Sequence, residues 1–520
     1  MTTTAKTEKI LDCDYLIVGA GAAPLPFIDT LLTELPDTKI ILIDKKGAPG
    51  GHWVDAYGYV RLHQPSIVYG IASKQLEGNW LKCMLTNFTL PWNHRANKTE
   101  VLSYFSDFVK GKEQIDFYPN CVYNFDNKED DSEDNIHSFS SVDGSVSYKV
   151  NVNVKLIDAT KGENIIPHDS PLQFPVDDEV RVMTPNQVYD SYEGNSDEKS
   201  LMLKNKYVVL GAGKTGMDCI VYLQRTMKID PANIAWVISN DVWMTKLEGG
   251  GNPKDWTRTL VENDNDINKA ALEMEEKGKM VRIDKNVMPT VFKFPVIPSD
   301  DLKILQDVKT IIRRGRATAI RRKTGDNSKV MVEFGSDHSP WDAFAPIDKC
   351  VFVHATSPGP FGAKGTTNIF NSEKKMTLDT IFSPPVSISM SCLAKVEANR
   401  RKGTLDIEFM RRLMLAREGE TSRDFKENEI LDSIIQASMD AQSMLNLAVL
   451  FAILDKDPLV PMNWMKQNRL AFLGAIPGYK CLICDDIRLL QSKGETVGLV
   501  EKDTQMLELL SDKIQPLEGM

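Results

Sequence analysis

Asp14-Tyr-Leu-Ile-Val-Gly19-Ala-Gly21-Ala-Ala-Pro24 and Lys206-Tyr-Val-Val-Leu-Gly211-Ala-Gly213-Lys-Thr-Gly216-Met-Asp218 set the frame of this chain. In each stretch a short apolar run, which reads as a buried parallel strand, leads into glycines and then into a helical pattern. Glycines let the backbone turn tightly and come close to a pyrophosphate, which rests on the N-terminus of the next helix. Two such turns in strand–turn–helix context predict two dinucleotides facing each other.

The first turn has Pro24 where a third glycine is expected, and Pro26 follows. The first turn of a helix leaves its N–H groups without intrahelical partners, so prolines fit if the helix starts near Ala22. The strand Lys39–Asp44 then ends in a carboxylate that can accept hydrogen bonds from an adenosine ribose. The second turn has all three glycines. Its next strand ends in Ser239-Asn240, and Asp241 falls one residue late. No Arg stands at that place in the sequence to hold a 2′-phosphate, although Arg225 and Lys246 are candidates in space. NADPH is mildly preferred over NADH on this reading.

The chain has 520 residues, enough for two or three domains. Its hydrophobic share of 42% and charged share of 26% are those of an ordinary soluble enzyme. A net charge of −10 argues against a nucleic-acid surface. No apolar run reaches membrane-span length, and the polar N-terminus lacks a secretory core, so the expected place is the cytoplasm. Most of the eight cysteines sit in apolar runs, as buried thiols do. Cys481-Leu-Ile-Cys484 has no nearby second ligand pair, so no metal site is expected.

The expected order is a first dinucleotide domain over 1–195, a second over 196–345, a return to the first over 346–400, and a helical region over 401–520. Charged residues 127–135 read as a solvated loop. Val146, Tyr148, Val150, Val152, Val154 and Leu156 alternate along one strand face. That strand runs into Ala159-Thr160, and Cys350–His354 runs into Ala355-Thr356 in the same way. Val308–Ile320 reads as strand, turn, strand. Asp406–Arg417 and Ile430–Leu454 carry apolar residues at helical spacing and suggest a cap or a homo-oligomer contact.

The nested order and the glycine turns resemble the two-dinucleotide-binding FAD/NAD(P)-dependent oxidoreductase superfamily, flavin-containing monooxygenases among them. The resemblance covers about residues 11–365 and implies an α/β fold: a split Rossmann-like FAD domain, an inserted Rossmann-like NAD(P) domain and a helical C-terminal region. It implies FAD contacts from Gly19, Gly21 and Asp44, with Ala22 and Lys45 beside them. Lys46–Trp53 looks like the family's Gly-Gly-x-Trp loop, which places Gly51, His52 and Trp53 near the flavin. Thr160 resembles the crossing loop. Gly211, Gly213, Lys214, Thr215 and Gly216 resemble the turn for NADPH or NADH. The Phe-x-Gly-x-x-x-His-x-x-x-Trp fingerprint of ketone-oxygenating members is absent.

The loop after Gly51 is dense in polar groups, among them Arg61, His63, Gln64, Ser66 and Tyr69. Arg61 is a candidate partner for an anionic flavin or substrate, and His63 and Gln64 are candidate hydrogen-bonding groups. Pro91–Arg95, with Asn93 and His94, is a second candidate, and Gly249–Asn252 reads as a turn near the nicotinamide. The expected activity is reduction of FAD by NAD(P)H, with monooxygenation of a small organic substrate. A flavin oxidase or dehydrogenase, and a flavin-binding protein with a vestigial second site, stay open.

Overall fold

In the computed structural model, residues 7–78, 93–125, 135–162, 166–194, 196–248, 258–260, 262–264, 266–292, 295–335, 338–356, 369–381, 386–404 and 468 are described. Tyr15, Leu16 and Ile17 are sealed from solvent because β1 (Thr7–Val18) is a central strand. β2 (Ile40–Asp44) lies parallel on one side and β6 (Val146–Asp158) parallel on the other. β3 (Ile115–Pro119) extends the β2 edge. β4 (Cys121–Tyr123) and β5 (Ile136–Ser141) form an antiparallel meander into β6. The strand order is β3-β2-β1-β6-β5-β4, and β18 (Lys375–Thr377) pairs with the last residues of β6 as the seventh strand.

The alternation expected along β6 holds for Val150 and Val152 and stops at Lys155, Leu156 and Ile157, which are all buried. The change follows from pairing: this half of β6 lies between β1 and β18. α1 (Pro24–Glu34) starts with Ala23 as its N-cap and Pro24 in its first turn, one or two residues later than expected. Its residues Pro24–Leu32 are all buried. α2 (Lys98–Lys110) is opened by an Asn97/Glu100 capping box.

A second sheet follows. β7 (Val182–Met183) leads to α3 (Pro185–Glu193) and α4 (Ser196–Met202). β8 (Lys206–Leu210), α5 (Lys214–Arg225) and β9 (Ile234–Val237) form the strand–helix–strand unit of the second glycine turn. A small sheet sets β10 (Met244–Lys246) between β11 (Met280–Val281) and β12 (Val296–Ile297), with α6 (Ile267–Glu276) beside it. The chain returns through α7 (Ser299–Asp307) to β13 (Thr310–Ile312). β14 (Ala317–Lys323), β15 (Asp326–Phe334) and β16 (Trp341–Pro346) make an antiparallel sheet, and β17 (Cys350–His354) completes the parallel order β13-β9-β8-β17-β7. α5 and α7 pack together with the core on one face, and the antiparallel sheet covers the other.

These pairings correct the expected boundaries. β7 and α3 belong with the second sheet although they precede residue 196. β17 is an inner strand of that sheet, between β8 and β7, so residues 346–356 do not begin the return. The return to the first sheet is β18, followed by α8 (Val386–Arg401), which packs on α1. The two strands read in Val308–Ile320 exist, but β13 and β14 lie in different sheets. The helical patterns beyond residue 404, the Cys481/Cys484 pair, Gly249–Asn252, most of 127–135 and Pro91-Trp92 lie outside the described residues.

Candidate dinucleotide sites

At the first turn Gly19 has φ +102° and its N–H donates to Ile43 O at 2.8 Å. A Cβ there would stand 3.2 Å from Ala159 O, so the turn lies directly against the end of β6. Ala159 N in turn donates to Val18 O. The second turn repeats this scheme. Gly211 has φ +120°, its N–H donates to Val237 O at 3.0 Å, and a Cβ would stand 2.7 Å from Ala355 O. Ala355 N donates to Leu210 O. The two Ala-Thr crossings read in the sequence are the segments on which the glycine turns rest.

Asp44 is buried at the end of β2. Its Oδ2 accepts from Ala20 N at 2.6 Å and its Oδ1 from Lys46 N at 2.8 Å. Burial lifts its carboxyl above the usual aspartate value, against these two N–H groups and the charges of Lys46 and Lys45. Asp44 thus braces the turn, and Lys45 beside it is exposed. Ala22 is half-buried just before α1. Thr160 folds back on Asp158 through its N–H and hydroxyl, at 2.9 and 2.7 Å.

Gly50 and Gly51 have φ +144° and +57°, and Gly50 N donates to Ala20 O at 2.8 Å. A Cβ on Gly51 would meet the Gly21 Cα at 2.9 Å. Only glycine allows both that backbone angle and that approach. The chain then makes a short 3-10 turn, Gly51–Trp53, and the buried Trp53 indole donates to the Tyr69 hydroxyl at 2.8 Å. His52 is half-buried, and burial followed by the charge of Lys46 pushes its pKa down to about 4.

The second turn differs in its openness. Gly216 is packed, since a Cβ would stand 2.3 Å from Gly211 O, but a Cβ on the exposed Gly213 meets no described atom within 4 Å. Gly213 is the N-cap of α5. Lys214 follows it with a side chain only 9% exposed, ion-paired to Asp218 one turn on. Such a cradle fits a dinucleotide pyrophosphate: free space, glycine backbone and a helix N-terminus. The late acid Asp241 is engaged elsewhere, taking Arg313 Nε at 2.6 Å and Nη2 at 3.1 Å. Arg225 is paired with Asp301 at 2.7 Å. Arg313, at the end of the neighbouring strand β13, is the arginine beside the β9 end, and its distance in sequence hid it.

The loop from Gly51 joins the two turns. Tyr57 hydroxyl donates to Asp218 Oδ2 at 2.8 Å and also meets Thr215. Tyr59 stacks on Tyr222 of α5 at 4.1 Å and 10°, and Gly58 leaves room for Tyr189 of α3. Among the described residues the buried Tyr59 hydroxyl has no hydrogen-bond partner of normal geometry, and the Cys219 thiol lies beside it. His63 faces the same junction: burial, then Lys214, hold it down to about 4, with Asp218 opposing. Gln64 is half-buried. Arg61 is exposed and its Nη1 donates to Arg95 O at 3.2 Å.

His94 is buried, with Nδ1 2.9 Å from Ser66 Oγ, and Ser66 also accepts from Ala96 N. Ser66, His94 and Glu100 thus tie the loop to the start of α2, and Asn93 is exposed. The sequence reading missed Tyr57 and Asp218. Asp218 was legible as the i+4 partner of Lys214. A groove of about 590 Å³ opens along β7 between Phe174, Met183 and His354. Its rim carboxylate Asp177 is already held by Arg321 and by Arg322 N. Among the described residues no cluster of His, Cys, Asp and Glu could hold a metal ion, and no helix is long and apolar enough to cross a membrane.

No family model matches the chain. An uncharacterized protein of Mycobacterium tuberculosis is 30% identical over 342 residues, and one of Mycobacterium bovis gives the same figures. The match takes in 62% of this chain and 58% of those relatives, so it spans little more than half their length. Among solved structures, a polycyclic ketone monooxygenase of Thermothelomyces thermophila is 11% identical, with a TM-score of 0.49, covering 90% of this chain and 86% of the other. An ornithine N-hydroxylase of Kutzneria sp. 744 is 10% identical, with a TM-score of 0.46, covering 75% of this chain and 100% of the other. A cyclohexanone monooxygenase is 12% identical, with a TM-score of 0.44, covering 83% of this chain and 98% of the other.

Proposed function

We propose that the chain holds FAD at the first glycine turn and NADPH or NADH at the second, and that it is an FAD-dependent oxidoreductase of monooxygenase type acting on a small organic molecule. The observation that carries this is the repetition of one hydrogen-bond scheme at two turns linked by a single loop. The turns differ as a resident and an exchangeable cofactor require. Gly21 is clamped by Gly51, whereas Gly213 opens to solvent.

Bound flavin would supply hydride acceptance from the nicotinamide and electron transfer onward. The chain's own groups supply the setting. Trp53, fixed by Tyr69, walls the region after Gly51. Burial favours the neutral form of His52 and His63, so each offers a ring nitrogen for a hydrogen bond without adding a standing charge. Gln64 offers an amide in the same loop.

Anaerobic mixing of the purified protein with NADPH and with NADH, followed by air, tests the reading. The expected result is a yellow protein whose flavin absorbance bleaches with a nicotinamide and returns with oxygen. A folded protein that takes up no flavin overturns it. So does a flavin that neither nicotinamide reduces, which leaves the vestigial second site or the substrate-reduced dehydrogenase.

A further inference from the structure

We infer that Tyr57 is a positioning residue that sets how readily Lys214 is released from Asp218 to the phosphates of a dinucleotide at the second turn; this rests on the nicotinamide reading of that turn. Lys214 stands in the first turn of α5, where the partial positive charge of the helix end opposes a second cation. It is almost wholly covered, so its charge needs a partner, and the partner in its own helix is Asp218. An incoming pyrophosphate at Gly213 competes with Asp218 for that ammonium.

Asp218 divides its two oxygens. Oδ1 holds Lys214 and Oδ2 accepts the Tyr57 hydroxyl at 2.8 Å. A donor on Oδ2 draws charge away from Oδ1 and loosens the lysine. The hydroxyl is a reliable donor, because burial and Asp218 keep Tyr57 protonated. Its ring is fixed against Tyr59 at 4.5 Å, and Tyr59 is stacked on Tyr222 of the same helix. Tyr57 also lies in the loop whose start, Gly51, touches Gly21. The residue that tunes Lys214 at one turn is therefore anchored at the other.

Calorimetric titration of the flavin-loaded protein with NADPH and with inorganic pyrophosphate tests this. Tyr57→Phe should raise the Kd for both by about tenfold, the size of one charge-assisted hydrogen bond. Asp218→Asn should lower it, because the competitor for Lys214 is gone. The KM for NADPH should follow the Kd, while flavin reduction at saturation stays within about twofold. In a Lys214→Met background Tyr57→Phe should have almost no effect, and this cycle decides the matter even where Asp218→Asn folds poorly. A Tyr57→Phe effect of equal size in both backgrounds overturns the inference, as does weakening of binding by Asp218→Asn. Both results leave the two-cofactor function standing. A wild-type protein that keeps its flavin but binds neither titrant overturns the second-site reading and this inference together.

Discussion

The Tyr15 hydroxyl donates to Glu397 Oε1 at 2.9 Å, joining β1 to α8 where neither residue reaches solvent. Lys155 Nζ meets Oε2 of the same carboxylate at 3.0 Å, and Arg400 adds two further bonds at 2.8 and 2.6 Å. Burial alone would raise the Glu397 carboxyl, but Arg400 and Lys155 hold it below the usual glutamate range.

Glu397→Gln should therefore cost about 3–5 kcal/mol, since it leaves a buried lysine without its counter-charge. Lys155→Met should cost less, because Glu397 keeps Tyr15 and Arg400. Urea midpoints of the two variants check the order. The lowered carboxyl also fixes a sign: its stability is present above the ordinary glutamate pKa and is lost as pH falls through the lower folded value. Acid denaturation of the wild type should steepen there, and Glu397→Gln should remove that step.

Gly51→Ala and Gly213→Ala should separate fold strain from site space. The first forces a Cβ to 2.9 Å from Gly21 at positive φ, so loss of flavin and about 1–3 kcal/mol of stability are expected. The second adds a Cβ in open space at the N-cap of α5 and should leave flavin content unchanged, with the thermal midpoint lowered only by the weaker cap. Enlarged to Gly213→Val, it should slow reduction by NADPH. Flavin absorbance per protein and the thermal midpoint read both.

His52 and His63 are depressed to about 4 from an ordinary value near 6.5. Between those values the unfolded chain binds more protons than the folded one, so stability falls as pH drops through the window. His63→Gln should flatten this slope, by on the order of 1 kcal/mol after solvent screening. Guanidinium melts from pH 7 to 4 measure it.

Arg61→Ala should leave turnover and the flavin spectrum unchanged and shift stability by about 0–1 kcal/mol, because its guanidinium is exposed and bonds the Arg95 carbonyl. A large loss of turnover would return Arg61 to the chemistry.

Both turns were legible in the sequence because their geometry is local: an apolar run, glycines at fixed offsets, a helix start. The Ala-Thr crossings were legible by their repetition. Positions set by pairing were not. β17 looked like the first sheet's return because both crossings share a pattern, yet hydrogen bonds to β8 assign it to the second. Lys155 falls on the opposite face of the alternation read along β6, where a polar residue is ordinary, and its partner comes 242 residues later. Arg61 looked like chemistry because of its neighbours in sequence, and only the folded loop turns it outward. Tyr57 has the opposite history, an unremarked tyrosine whose partner lies on another sheet's helix.

The pairing of β18 with the end of β6 has a consequence for the order of synthesis. Thr377 lies opposite Asp158, so the chain leaves the first sheet and re-enters it at adjacent points, with the whole second sheet made in between. On the ribosome, β1, β2 and β6 emerge long before α8. Throughout that interval Lys155 has no Glu397 beside it, and one face of the nascent sheet lacks its cover. Until Glu397 is made, Lys155 stands without the carboxylate that the finished fold sets beside it.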